Sequence, residues 1–199
     1  MALPKKKVSR SRRAGGEAKK EIFVLADGLS VALQRSQKRR TELKLAVVHT
    51  GARQTSPGRC ELADKSLVGG LYDGPELWED VGDVIERKYG WENVSAVTLN
   101  GDGASWIKEG VEYLGGCRYQ LDRFHLARRM KEALGGDPAG YREVWDALML
   151  HDPVGVSRAL AMAEGRVDSK RKVLVRGLRG YIFDNWDGLW GLKREEGLQ

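Results

Sequence analysis

The chain has 199 residues, 41% hydrophobic and 31% charged, with 34 Lys and Arg against 28 Asp and Glu, a net charge of +6 and a pI of about 9.3. That length supports one well-filled core with a helical appendage. No run approaches the roughly 18 apolar residues of a membrane span, and the basic start lacks the apolar segment of a secretory signal, so a cytoplasmic protein without membrane contact is expected. The two cysteines, Cys60 and Cys117, are far apart and outside any C-x-x-C pair, which predicts free thiols and argues against a zinc knuckle or disulfide framework.

Residues 1–20 crowd Lys5, Lys6, Lys7, Arg10, Arg12, Arg13, Lys19 and Lys20 around Gly15-Gly16, and read as a disordered basic tail, compatible with a phosphate-binding arm. The ordered domain begins near Glu21. Residues 21 to 27 predict a strand ending at Asp27-Gly28, Leu29 to Arg35 a second, and Thr41 to His49 a third, with a basic turn from Ser36 to Arg40. Short connections make these an antiparallel meander, because parallel neighbours need a crossover of a dozen residues or more. Residues 50 to 73, with Gly51, Pro57, Gly58, Gly69 and Gly70, read as an irregular excursion holding one short edge strand.

Pro75 suits a helix's first turn, and Leu77, Trp78, Val81, Val84 and Ile85 recur at helical spacing to about Tyr89, where Gly90 stops the helix. Val94 to Leu99 is the next strand, placed parallel to the first by the crossover. A helix from Ala104 to Leu114 ends at Gly115-Gly116, and Cys117 to Leu121 is the last strand. Leu126 to Leu134, Tyr141 to Leu150, Pro153 to Glu164 and Ser169 to about Trp186 then read as helices. The expected domains are a tail (1–20), an α/β core (21–125), a helical region (126–190) and a divergent tail (191–199).

Asp102 stands between Gly101 and Gly103 where the Val94 strand gives way to a helix. Function collects beyond the carboxyl ends of strands in such sheets, and a carboxylate there suits a hard cation such as Mg²⁺; it equally suits a helix cap. Asp27 also ends an apolar run. Two parallel neighbouring strands would put Asp27 and Asp102 side by side, where their repulsion calls for a cation between them. For Asp27 the competing reading is a hairpin turn, since Asp-Gly between apolar runs is a strong hairpin signal. The tryptophans, Trp78, Trp91, Trp106, Trp145 and Trp186, read as core and cap packing ahead of the competing reading, base-stacking platforms.

Three antiparallel strands followed by two parallel ones with helices between is the ribonuclease H order. Ala26-Asp27-Gly28, Thr41-Glu42-Leu43-Lys44-Leu45, Gly101-Asp102-Gly103-Ala104-Ser105-Trp106-Ile107-Lys108-Glu109-Gly110 and Leu121-Asp122-Arg123-Phe124-His125-Leu126 together resemble the ISLre-type insertion-sequence transposases, relatives of the Mutator-like DDE transposases. The resemblance runs from about Glu21 to Gly188 and implies a ribonuclease H-like mixed five-stranded sheet followed by an all-helical segment. It implies Mg²⁺ (or Mn²⁺) held by an Asp, Asp, Glu triad that activates water and then a DNA 3′ hydroxyl for attack on phosphodiesters.

Asp27 and Asp102 match the first two acids, and Asp122 with His125 matches a supporting Asp-x-x-His motif. For His125, packing at a helix start is an equal alternative. The positions expected to meet DNA are Lys38, Arg39, Arg40, Lys108, Arg123, Arg128 and Arg129. A solvated basic face is the competing reading for the arginines of the helix after Leu121. The partners implied are transposon ends and target DNA, with a homo-oligomer as a further option and nucleoid association when bound.

The family's third acid lies in a Glu-Gly context on a later helix. Glu195-Glu196-Gly197 offers Glu196, but its surroundings do not match. The third acid is therefore expected to be missing, and the chain to be an incomplete transposase core. The alternatives are a noncatalytic nucleic-acid-binding remnant and a ribonuclease H-like nuclease.

Overall fold

The computed structural model describes residues 19–32, 40–72 and 75–192. The expected basic tail up to residue 18, the turn residues Lys38 and Arg39, and Glu196 with the rest of 193–199 lie outside them.

β1 (Lys20–Ala32) and β2 (Arg40–His49) form one long antiparallel ladder, from Phe23 opposite His49 to Ala32 opposite Arg40. This corrects two expectations. There is no turn at Asp27-Gly28: Asp27 faces Leu45 and Gly28 faces Lys44 within the ladder, so the stretches expected as two strands are one. Gly28 serves that ladder by lacking a Cβ, since one there would collide with the Glu42 carboxylate.

The third strand of the meander is β5 (Ser66–Gly70), antiparallel to β2 and drawn from the stretch expected to hold an edge strand. Before it, β3 (Ala52–Ser56) and β4 (Arg59–Leu62) make a separate two-stranded hairpin. After α1 (Glu76–Tyr89) come β6 (Val94–Gly101), α2 (Ser105–Tyr113) and β7 (Arg118–Leu121). The mixed sheet runs β5-β2-β1-β6-β7, so β1 and β6 are neighbours, as the sequence pattern requires.

Two compact units result. The first comprises the described residues through Leu99 with Ser105–Arg118. Ile22, Val24 and Ala26 of β1 alternate inward with Ala46 and Val48 of β2. α1 packs on β2 and β5, burying Leu77, Trp78, Val81 and Ile85 at intervals of three and four. Trp78 donates its indole N–H to the Trp106 carbonyl at 2.8 Å and lies flat against Gly110, where an added Cβ would come within 2.7 Å of its ring.

The second unit comprises Asn100–Ala104 and the residues from Tyr119 on. Its helices are α3 (Arg123–Leu134), α4 (Pro138–Met149), α5 (Pro153–Arg166) and α6 (Ser169–Asp184), ending in a 3₁₀ run, Trp186–Leu192. Asp122, Asp137, Asp152 and Asp168 each cap the helix that follows, accepting from backbone N–H groups of its first turn, a contribution of about 1 kcal/mol per cap. Pro138 and Pro153 occupy first-turn positions whose N–H needs no partner. Leu126, Met130, Val144, Leu148, Leu160 and Ile182 fill the shared core. Because Asp122 is itself a cap, α3 begins at Arg123 and not at Leu126. Among the described residues no helix is long and apolar enough to cross a membrane, and both cysteines are free thiols.

Two glycine-to-alanine changes should move stability in opposite directions. Gly110→Ala pushes a methyl into the Trp78 ring and should cost about 1–3 kcal/mol in urea unfolding. Gly177→Ala, on the exposed side of α6 with nothing within 4 Å of the new methyl, should add about 0.5–1 kcal/mol.

Candidate functional site

β6 ends at Gly101, and Asp102 opens the turn into α2. Its Oδ1 accepts from the Ala104 N–H at 2.9 Å, so the capping role is realised. Gly103 adopts φ +95°, a region that disfavours side chains, and a Cβ there would lie 2.7 Å from Asn185 Oδ1. The glycine is thus required twice over, by its backbone angle and by its neighbour.

The second unit holds this loop by its carbonyls. Tyr181 on α6 donates its hydroxyl to the Asp102 carbonyl at 2.8 Å, and Tyr119 on β7 donates to the Gly101 carbonyl at 3.2 Å. The Asp122 N–H reaches the same Gly101 oxygen at 2.8 Å. Asn185, 4% exposed, gives its Nδ2 to the Tyr181 carbonyl at 2.8 Å, while its Oδ1 is buried with no hydrogen-bond partner among the described residues.

Burial pushes the Tyr181 phenol up to about 12, with the nearby Arg129 cation opposing and the carboxylates of Asp102 and Asp122 adding to the rise. Burial likewise raises the Tyr119 phenol, reinforced by Tyr181, Asp102 and Asp122. Both phenols remain donors at neutral pH. The hydrogen bond from the Asp122 N–H to the Gly101 carbonyl places Asp102 and Asp122, each following the end of a strand, in one neighbourhood.

Asp122 accepts from the Phe124 N–H through Oδ1 at 2.8 Å, and its Oδ2 lies 4.0 Å from His125 Nε2. The Arg129 guanidinium sits over the Tyr181 ring, 4.2 Å from its centre. The structure therefore gathers Asp102, Asp122, His125 and Arg129. Tyr119, Tyr181 and Asn185 were missed by sequence reasoning, because tyrosines at helix and strand spacing read as core. The signal within reach was Asn185-Trp186-Asp187-Gly188, a cluster of turn residues closing a helix.

Asp27 belongs to the first unit. It is exposed in the middle of β1, not at its carboxyl end, because the ladder with β2 continues past it. Its Oδ1 accepts the Gly28 N–H at 2.8 Å. Arg40 opens β2 opposite Ala32, and Lys108 is half-buried on α2. Arg123 is exposed at the start of α3, and Arg128 pairs with Glu132 at 3.1 Å.

Neither Asp27 nor Asp102 forms an ion pair with a described residue. Their donors are oxygens only, which fits Mg²⁺ or Mn²⁺ better than a thiophilic metal. Among the described residues no group of three or more His, Cys, Asp or Glu is arranged to hold a metal ion.

The family model described as "Uncharacterised protein family (UPF0236)" matches residues 1–197. A UPF0236 protein of Caldanaerobacter subterraneus subsp. tengcongensis is 31% identical over 176 residues, 86% of this chain and 37% of the relative. A second from that organism, whose name joins eleven loci, is 32% identical over 178 residues, again 86% and 37%. A Streptococcus gallolyticus relative, "UPF0236 protein in vanSb 3'region", is 23% identical over 180 residues, 87% of this chain and 39% of the relative. The chain spans less than two-fifths of the length of these curated relatives.

Tyr181→Phe removes the donor to the Asp102 carbonyl and should cost about 0.5–1.5 kcal/mol at neutral pH. The folded phenol titrates near 12 against about 10 when unfolded, so the unfolded chain loses this proton first. Its contribution is complete below pH 10 and is lost as pH rises toward 12. Denaturant unfolding across that window should show a steeper decline for the natural chain than for the Phe variant.

Proposed function

The chain belongs to the uncharacterised protein family UPF0236, and on that footing we propose that it carries part of the catalytic core of a DDE-type DNA transposase with a ribonuclease H-like sheet. The longer family protein would cut and join DNA. Asp27 and Asp102 are assigned as metal-holding carboxylates, with Asp122 and His125 in support.

The observation that carries this reading is the Asp102 loop: a carboxylate just past the end of β6, with its backbone carbonyl fixed by a half-buried phenol. Three further features support it. β1, which bears Asp27, adjoins β6 in the sheet. The chain has an excess of six positive charges, as a polyanionic partner requires. A relative whose name joins eleven loci of one genome fits a sequence that is copied within genomes.

A divalent ion held by Asp102, or in the first unit by Asp27, would supply Lewis-acid activation of water and of a DNA 3′ hydroxyl. The chain's own residues do the rest. Tyr119 and Tyr181 fix the loop through its carbonyls, and the Asp102 carboxylate keeps Oδ2 beyond the Oδ1 that caps the Ala104 N–H. Asp122 organises the start of α3, the helix that brings His125 near its carboxylate and Arg129 over the Tyr181 ring and that also carries Arg123 and Arg128, the cations assigned to phosphates. Arg40 and Lys108 extend the basic surface of the first unit, and Lys38 and Arg39 join them in sequence.

The absence of a three-donor cluster among the described residues favours one second reading, a DNA-binding segment without chemistry of its own. Titration calorimetry with Mn²⁺ separates the two. Asp102→Asn and Asp27→Asn should each weaken Mn²⁺ binding ten-fold or more, equivalent to about 1.4 kcal/mol. Equal affinity in both variants contradicts the metal assignment, and salt-dependent DNA binding that persists without metal would then favour the second reading.

A further inference from the structure

α3 and α4 turn the same kind of face toward one another. Phe124, Arg128 and Lys131 recur at steps of four and three on α3, and Tyr141, Arg142 and Trp145 share a face of α4. Between them lies an open cleft of about 580 Å³ lined by Lys131, Tyr141, Arg142 and Trp145, with Asp146 as an acidic lining residue. A second, of about 430 Å³, is lined by Phe124, Arg128, Lys131 and Tyr141. Lys131 and Tyr141 belong to both, so the two clefts adjoin.

The adjoining clefts combine flat apolar surface with cations. The Tyr141 and Trp145 rings are stacked, 13° from parallel with centroids 6.5 Å apart. They pack against the helical core only in part, leaving the rest of each ring to the cleft. Phe124 is 68% exposed, an arrangement that water disfavours and a partner would relieve.

Neither Lys131 nor Arg142 forms an ion pair with a described residue. Arg128 holds Glu132 in a pair whose side chains are 64% and 57% exposed, an arrangement readily exchanged for another anion. A nucleic-acid strand uses both the rings and the cations, because every base has a stacking face and every linkage a negative charge.

We propose that the α3–α4 cleft binds an unpaired nucleobase of a DNA strand, stacked on Tyr141 and Trp145, with the flanking phosphates on Lys131 and Arg142. This takes DNA as the partner, as the preceding reading does, and needs no metal. It gives the helices after the sheet a function, the capture of a base displaced from its duplex.

The test is fluorescence titration of the full chain, in EDTA, with a single-stranded oligonucleotide carrying one central 2-aminopurine. The natural chain should bind and quench the probe. Trp145→Ala should weaken binding about five-fold or more and abolish the quenching, while Trp145→Phe, which keeps a stacking face and guards against a folding defect, should restore most of both. Lys131→Ala with Arg142→Ala should weaken binding and lower the salt slope by about 1 to 2.

Unchanged binding and quenching by Trp145→Ala overturns the proposal. So does competition by a fully paired duplex as effective as that of the single strand, or by a free nucleotide at equal concentration. An oligonucleotide that does not bind at all overturns it as well, and leaves the Mn²⁺ titrations of Asp102→Asn to stand or fall separately.

Discussion

Two phenolic hydroxyls close on two successive carbonyls at the end of β6: Tyr119 on Gly101, Tyr181 on Asp102. A carbonyl in a tight loop, partly shielded from water, must find a donor or lose about 1–3 kcal/mol, and this loop finds both donors in residues that follow it in sequence. The consequence is local and severe. Gly103 has no space for a side chain because Asn185 fills it, and Asn185 keeps its place through Tyr181. The position of Asp102 is thus decided by the end of α6, 79 residues away from it along the chain.

This dependence joins the parts of the second unit into one device. α6 carries Tyr181 and Asn185, α3 carries Arg129 against the Tyr181 ring, and β7 delivers Tyr119 and then Asp122. The four aspartate caps fix where each helix begins, and so fix the angle at which α6 arrives at the loop. A carboxylate held this way gains precision from the ordered elements around its loop.

Much of this fold was legible in the chain. Leu77, Trp78, Val81 and Ile85 announce α1 by spacing alone, Asp137-Pro138 and Asp152-Pro153 mark helix starts, and the run Val94 to Leu99 ends where β6 gives way to Asp102. Asp27-Gly28 misleads because the pair has the chemistry of a hairpin turn, yet β2 is long enough to pair straight through it and Gly28 is needed for its missing side chain. β5 is obscured by its glycines: Gly69 has no Cβ because the Leu45 side chain occupies that space, a reason invisible without the partner strand. Tyr119, Tyr181 and Asn185 escape notice for a similar reason. Their purpose lies in a hydroxyl or amide meeting a distant backbone, and periodicity carries no trace of that.

The central claim is that the carboxylate fixed at position 102 is there to hold a divalent cation. Anomalous diffraction from crystals of the protein grown with Mn²⁺ addresses it directly. The account predicts a manganese peak within about 2.0–2.3 Å of an Asp102 carboxylate oxygen, with the Tyr181 hydroxyl still on the Asp102 carbonyl. Manganese absent from Asp102 at saturating metal, or bound only at unrelated surface acids, would contradict it.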